Sequence, residues 1–249
     1  MSITETALEI PTADGVSDGV LLRPTGVTRA PGVLHLPDGG GLRPSQLELA
    51  RRCARAGYIV LVPNVFYRSS RVPVYDFAPN FAEERTLQRF KEITAPLTPD
   101  AITRDANSYV DFLRAHTGQP NGKLGVVGHC YTGGVALRYA AARPDAITIA
   151  ASFHGGRLFT DSPTSPHTVL PQVKAQLYFA HAVEDGSMPA AAITKFEAAL
   201  AAWGGDYVSE TYAGAYHSWT SSDSAVYDVP ATERAYSALL SRFAALPHD

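Results

Sequence analysis

Short β-branched runs alternate with longer amphipathic stretches along most of this chain. Thr4–Ile10 and Gly19–Arg23 read as two early strands joined through the turn pair Asp14-Gly15. Gly32–Leu36 is a compact apolar run ending at Pro37-Asp38-Gly39-Gly40-Gly41, and Tyr58–Val62 is almost continuously apolar, as strands covered on both faces are. Between them Pro44–Ala56 predicts a helix stopped by Gly57. From Pro63 to Asp100 the pattern is irregular: an aromatic and basic loop (Tyr67, Arg68, Arg71, Tyr75, Phe77) precedes a helix expected over Phe81–Ile93. Ala101–His116 predicts a clearer helix, closed by the turn-rich Gly118–Gly122. Strands then follow at Leu124–Val127, Ile147–Phe153, Gln176–Ala180 and Tyr207–Tyr212. Helices are expected at Gly133–Ala142, Pro189–Trp203, with proline in its first turn, and Pro230–Leu246. This alternation from Gly32 onward predicts an α/β fold with a mostly parallel central sheet and helices on both faces. With no repeat or linker in sight, one domain over residues 1–249 is the expectation.

Composition narrows the function classes. The chain is 45% hydrophobic and 18% charged, with a net charge of −3, so it has no basic field to attract nucleic acid or an anionic membrane surface. No stretch reaches the roughly 18 apolar residues of a membrane span, and Met1–Gly15 lacks the basic and apolar regions of a signal peptide. A cytoplasmic location, with a monomer or homodimer, is the expectation. Two cysteines are too few for a disulfide framework or a thiolate zinc site. No histidine pair or carboxylate cluster stands at metal-ligand spacing, and Gly39-Gly40-Gly41 lacks the Lys-Ser/Thr of a phosphate loop. No metal or cofactor is expected. Cys53, within the Ala- and Arg-rich Leu47–Ala56, reads as a small buried hydrophobe.

Cys130 is different. Gly128-His129-Cys130-Tyr131-Thr132-Gly133-Gly134 places a thiol at a strand-to-helix junction, flanked by the small residues that a sharp, strained turn needs for clearance. Such a turn lifts the side chain above the carboxyl edge of the sheet and sets the Tyr131 N–H at a helix N-terminus, where negative charge is favoured. A buried structural cysteine beside a glycine turn is the competing reading of this segment alone. Partners decide between them. Of the later histidines, His167 lies in a polar loop, His248 is at the chain end, and His154 and His181 end strands; His217 falls in the loop just after the last strand, where a general base belongs. Asp185 follows the strand Gln176–Ala180 and is the candidate acid, with neighbouring Glu184 the alternative. A carboxylate there would orient the imidazole and stabilise its charged form.

With these residues the chain resembles the dienelactone hydrolase (carboxymethylenebutenolidase) family of the α/β-hydrolase superfamily, from about Thr4 to Leu246. The likeness rests on the G-x-C-x-x-G-G elbow, on Asp185–Pro189, and on His217 with Trp219 two residues on. It implies an α/β-hydrolase fold and a Cys130–His217–Asp185 triad that forms an acyl thioester from a small ester or lactone. It also implies an oxyanion hole of the Tyr131 and Gly39 N–H groups. The family's thiol-pairing acid falls at Asp38, shorter than the usual glutamate; a turn residue at the helix entry is the other reading. Substrate contacts are implied at Tyr131, Trp219 and an arginine of the Phe81–Ile93 helix, Arg85 ahead of Arg89. The family's second carboxylate-binding arginine, four residues after the histidine, is replaced by Ser221, which loosens the substrate assignment. An aromatic-lined pocket from Tyr67, Tyr75, Phe77, Tyr131, Phe153 and Trp219 is a further expectation. Two other functions fit the pattern: a lyase, cyclase or acyl-transfer enzyme on the same scaffold, and a non-catalytic binding protein, which would be expected to lack a triad member.

Overall fold

The computed structural model describes residues 1–247; His248 lies outside them. Its centre is an eight-stranded sheet ordered β1-β2-β4-β3-β5-β6-β7-β8. β1 (Ile3–Thr12) and β2 (Gly15–Pro24) form an antiparallel hairpin, as the Asp14-Gly15 turn predicts, and β2 pairs antiparallel with β4 (Ile59–Pro63). β3 (Gly32–Leu36), β5 (Leu124–His129), β6 (Ile147–Phe153), β7 (Gln176–His181) and β8 (Tyr207–Thr211) complete a parallel section with β4.

Two apolar layers form because β3, β4 and β5 are buried along their whole length and present side chains to both faces. On one face Leu34, Leu61 and Val126 pack with Tyr109 and Leu113 of α3 (Pro99–His116) and Leu137 of α4 (Tyr131–Ala142). On the other, Val33, Val60 and Val127 meet Leu49 and Cys53 of α1 (Pro44–Arg55) and Tyr236 and Phe243 of α6 (Val229–Phe243). Cys53 is fully buried and its thiol is pushed up to about 12 by that burial, which suits a packing role. The remaining helices are α2 (Glu84–Thr94), α5 (Ala190–Trp203), which opens after Pro189, and a short 3-10 turn at Pro166–Gln172 that the periodicity does not reveal. No helix among the described residues is long and apolar enough to cross a membrane.

Candidate active site

β5 runs straight into α4, and the reversal between them falls on one residue. Cys130 has φ +55° and ψ −121°, outside the regions a side chain ordinarily occupies. Neighbours hold it there: its N–H donates to the Phe153 carbonyl at 3.0 Å, and its own carbonyl accepts from Gly133 N at 3.1 Å and Gly156 N at 3.2 Å. Thr132 ties the turn to β3, the neighbouring strand in the sheet. Its hydroxyl donates to the Leu36 carbonyl at 2.9 Å and accepts the His129 N–H at 2.9 Å. The small residues are required sterically, since a Cβ on Gly128 would stand 2.1 Å from the Thr132 carbonyl oxygen, and one on Gly133 2.2 Å from Ser152 Oγ. α4 therefore begins at Tyr131, two residues before the hydrophobic pattern suggests, and Tyr131 N–H is among the first-turn donors with no partner inside the helix.

Three loops at the carboxyl edge of the sheet converge on this thiol. His217 Nε2 lies 3.1 Å from Cys130 Sγ, and its Nδ1 lies 2.6 Å from Asp185 Oδ2. The other Asp185 oxygen accepts from Ser187 N at 2.8 Å and Ser187 Oγ at 2.7 Å, an Asx-type turn that fixes the carboxylate plane. The Asp185-Gly186-Ser187 spacing carries that signal in the sequence. Glu184, the alternative acid, takes a positive φ of 49° and makes none of these contacts. Burial works against a charged His217, but its hydrogen bonds to Asp185 and Cys130 outweigh it and raise the imidazole to about 10. Burial likewise opposes ionisation of Asp185, and its bonds to His217 and Ser187 prevail and lower it.

The imidazoles behind the site behave in the opposite way. His154, whose ring centroid is 5.2 Å from that of His217, is driven well below its ordinary range by burial, and the same cause takes His129 and His181 to about 4. They are neutral packing residues, and among the described residues no three His, Cys, Asp or Glu side chains cluster as a metal site.

A cavity of about 970 Å³ opens onto Cys130 and His217. Gly39 and Tyr131 are both in its wall, and the Gly39 carbonyl accepts the Tyr75 hydroxyl at 3.0 Å. Asp38 is there too, but its carboxylate does not pair with the thiol. It accepts from Gly40 N, both Arg43 Nη atoms, Gln46 Nε2 and Ser221 Oγ at 2.5–3.2 Å. One bond shorter than glutamate and next to an arginine at the entry of α1, it is occupied where it stands. Asp223 also grips Arg43, at 2.6 Å, so two carboxylates surround one guanidinium.

The expected substrate contacts divide. Tyr131 lines the cavity; Trp219 does not. Trp219 is fully buried, stacked on Tyr212 at 4.9 Å and beside Phe153 and His154. Arg85 is also displaced from the assigned role. Asn80 forms a turn whose side chain accepts from Ala82 N at 3.1 Å, delaying α2 until Glu84, and Arg85 then faces solvent against Glu83 at 3.0 Å and over the Phe77 ring. Arg89 donates to the Val74 carbonyl at 3.1 Å, outside the cavity lining. Tyr67, Tyr75, Phe77 and Phe153 likewise pack around the site rather than line it. The aromatic wall comes instead from Phe81 and Phe90, which meet edge to face at 5.6 Å and bring residues 78–90 over the cavity. Exposed apolar Phe81 and Leu87 in an otherwise polar segment are the sequence signal for this wall.

The dienelactone hydrolase family profile matches residues 17–246. A Synechocystis sp. protein bearing the name carboxymethylenebutenolidase is 23% identical over 95% of this chain and 94% of its own length. A second so named, from Methylorubrum extorquens, is 27% identical over 84% of this chain and 71% of its own. A Klebsiella pneumoniae structure assigned as a dienelactone hydrolase superposes with a TM-score of 0.87 at 20% identity, covering 98% of this chain and 100% of that one. With this architecture and a profile match spanning nearly the whole chain, the protein is an α/β-hydrolase-fold enzyme that belongs to the dienelactone hydrolase family.

Proposed function

We propose that this protein hydrolyses a small ester or lactone through a Cys130–His217–Asp185 triad and an acyl-thioester intermediate. The observation that carries this reading is the unbroken line of contacts from Sγ to Nε2 at 3.1 Å and from Nδ1 to Asp185 at 2.6 Å, at the mouth of a cavity. The thiolate is the nucleophilic form of cysteine, and the raised imidazole keeps His217 ready to supply a proton. The thiolate attacks the substrate carbonyl carbon, and the carbonyl oxygen takes up the negative charge against the N–H groups of Tyr131 and Gly39. As the C–O bond breaks, His217 gives its proton to the departing alkoxide, which leaves as an alcohol or, for a lactone, as the free end of the opened ring. Neutral His217 then draws a proton from water, whose oxygen attacks the thioester. Collapse releases the carboxylic acid and restores the ion pair. Asp185 keeps Nδ1 protonated throughout, so Nε2 faces the sulfur in both half-reactions.

A chromogenic short-chain ester assay with mass spectrometry of the stalled enzyme tests the proposal. Turnover, and an acyl adduct confined to Cys130, are expected. Full activity in Cys130→Ala would overturn the thiol mechanism, and a product that keeps its acyl group on a new acceptor would replace hydrolysis with transfer.

A further inference from the structure

Three arginines line the cavity, and they are not equivalent. Arg43 is neutralised by Asp38 and Asp223. Arg138 and Arg157 have no carboxylate within ion-pair distance among the described residues; Asp161, in the loop beside them, pairs with Lys195 at 3.7 Å. Arg138 is partly buried on α4, where one Nη donates to the Thr164 carbonyl. Burial pulls its guanidinium below the ordinary value. Arg157 sits in the loop after β6 with a positive φ of 53°, held by its own N–H on the Ser187 carbonyl at 2.8 Å and by Gly156 N on the Cys130 carbonyl at 3.2 Å. These bonds fix the Arg157 backbone between the nucleophile turn and the acid loop, and leave its exposed side chain at the cavity wall. Thr160, Ser162 and Thr164 of the same loop add hydroxyls to the cavity wall.

Resting on the hydrolytic reading above, we propose that Arg138 and Arg157 form an oxyanion subsite for the far end of the acyl group, so that the preferred substrate is an ester with a carboxylate or phosphate remote from the scissile bond. Planar guanidinium forks match the geometry of such groups. Arg138 lies seven residues beyond Tyr131, roughly 10 Å along the helix at 1.5 Å per residue, and helical side chains lean toward the N-terminus. The acid must therefore stand several bonds from the carbonyl, with Phe81, Phe90 and Val135 covering the chain between. These arginines belong to α4 and the loop after β6, whereas Ser221 belongs to the loop after β8, and no charged side chain of α2 is among the lining residues.

The test separates binding from turnover. Adipate and butyl phosphate are titrated calorimetrically into Cys130→Ala protein, with and without Arg138→Gln/Arg157→Gln. Binding of either anion that weakens about 10- to 100-fold in the arginine variant is expected, the loss typical of hydrogen bonds to a charged group. No binding of either anion, or equal binding in both proteins, overturns the subsite whatever the enzyme's activity. In the catalytically intact protein, the mono-4-nitrophenyl ester of adipate should lose kcat/KM by a similar factor, chiefly through KM, while 4-nitrophenyl butyrate stays within about 2-fold. Equal loss on both esters would also overturn it, by assigning the arginines to the fold. If no ester is turned over at all, the hydrolytic reading fails, and the titrations still decide the subsite.

Discussion

Asp185→Asn offers the sharpest test of the triad because the structure dictates how the amide must sit. Ser187 N–H and Oγ–H both donate to Asp185 Oδ1, so the asparagine carbonyl oxygen is held there and its NH₂ is turned toward His217 Nδ1. Nδ1 must then accept instead of donate. The proton moves to Nε2, and a neutral imidazole in that tautomer cannot take one from the Cys130 thiol 3.1 Å away. General acid–base assistance is worth about 10²–10⁴-fold, which is the loss expected in kcat/KM. The pH profile should change as well. Burial opposes a charged His217, but Asp185 first and Cys130 next outweigh it and raise the imidazole from 6.5 to about 10. A folded-state value above the unfolded one means that the proton is held below it and lost as pH rises through it. The alkaline limb of kcat/KM, which belongs to the coupled thiol–imidazole pair, should lie near 10 in the wild type and fall toward neutrality in the variant. Initial rates from pH 5 to 11 on a short-chain ester, with Glu184→Gln alongside as an unaffected control, provide the assay. An Asp185→Asn enzyme within about 3-fold of wild type and with the same alkaline limb would refute the assignment of Asp185 as the orienting acid.

Other substitutions separate support from contact. Thr132→Val keeps the shape of the elbow but leaves the buried His129 N–H without an acceptor; thermal unfolding should show a loss of about 1–3 kcal/mol, at about 2–4 °C per kcal/mol for a chain of this size. Trp219→Phe should lower the melting temperature while KM for a neutral ester stays unchanged, since the indole is sealed from the cavity; a raised KM with unchanged stability would put Trp219 back among the substrate contacts. Arg85→Ala should alter neither stability, by more than about 0.5 kcal/mol, nor kcat/KM, and a 10-fold rise in KM would show that α2 closes onto substrate in solution.

How much of this was legible in the sequence depends on how local the cause was. β3 to β7 are buried along nearly their whole length and read as mostly apolar runs, so they fall where the pattern predicts to within two residues. The elbow is legible for a steric reason: only glycine tolerates a Thr132 carbonyl 2.1 Å from where Cβ would stand. The juxtaposition of Cys130, Asp185 and His217 follows because each lies just past a strand's carboxyl end, and parallel strands bring those ends to one edge. The cavity lining has no such local cause. Whether Arg85 faces substrate or solvent depends on which face of α2 packs toward the site, and Leu87 and Phe90 take the cavity side while Arg85 is left outside it. Asp38 was similarly undecided by its position after β3, because its partners Arg43, Gln46, Ser221 and, through Arg43, Asp223 come together only when the His217 loop folds over α1. Ser221 brings no cation to the His217 loop, and Arg43 is consumed by two carboxylates. Among the described residues that line the cavity, the arginines without a carboxylate partner are Arg138 on α4 and Arg157 in the loop after β6, so the proposed recognition of an acid group on the substrate rests on these two side chains rather than on a residue of the His217 loop.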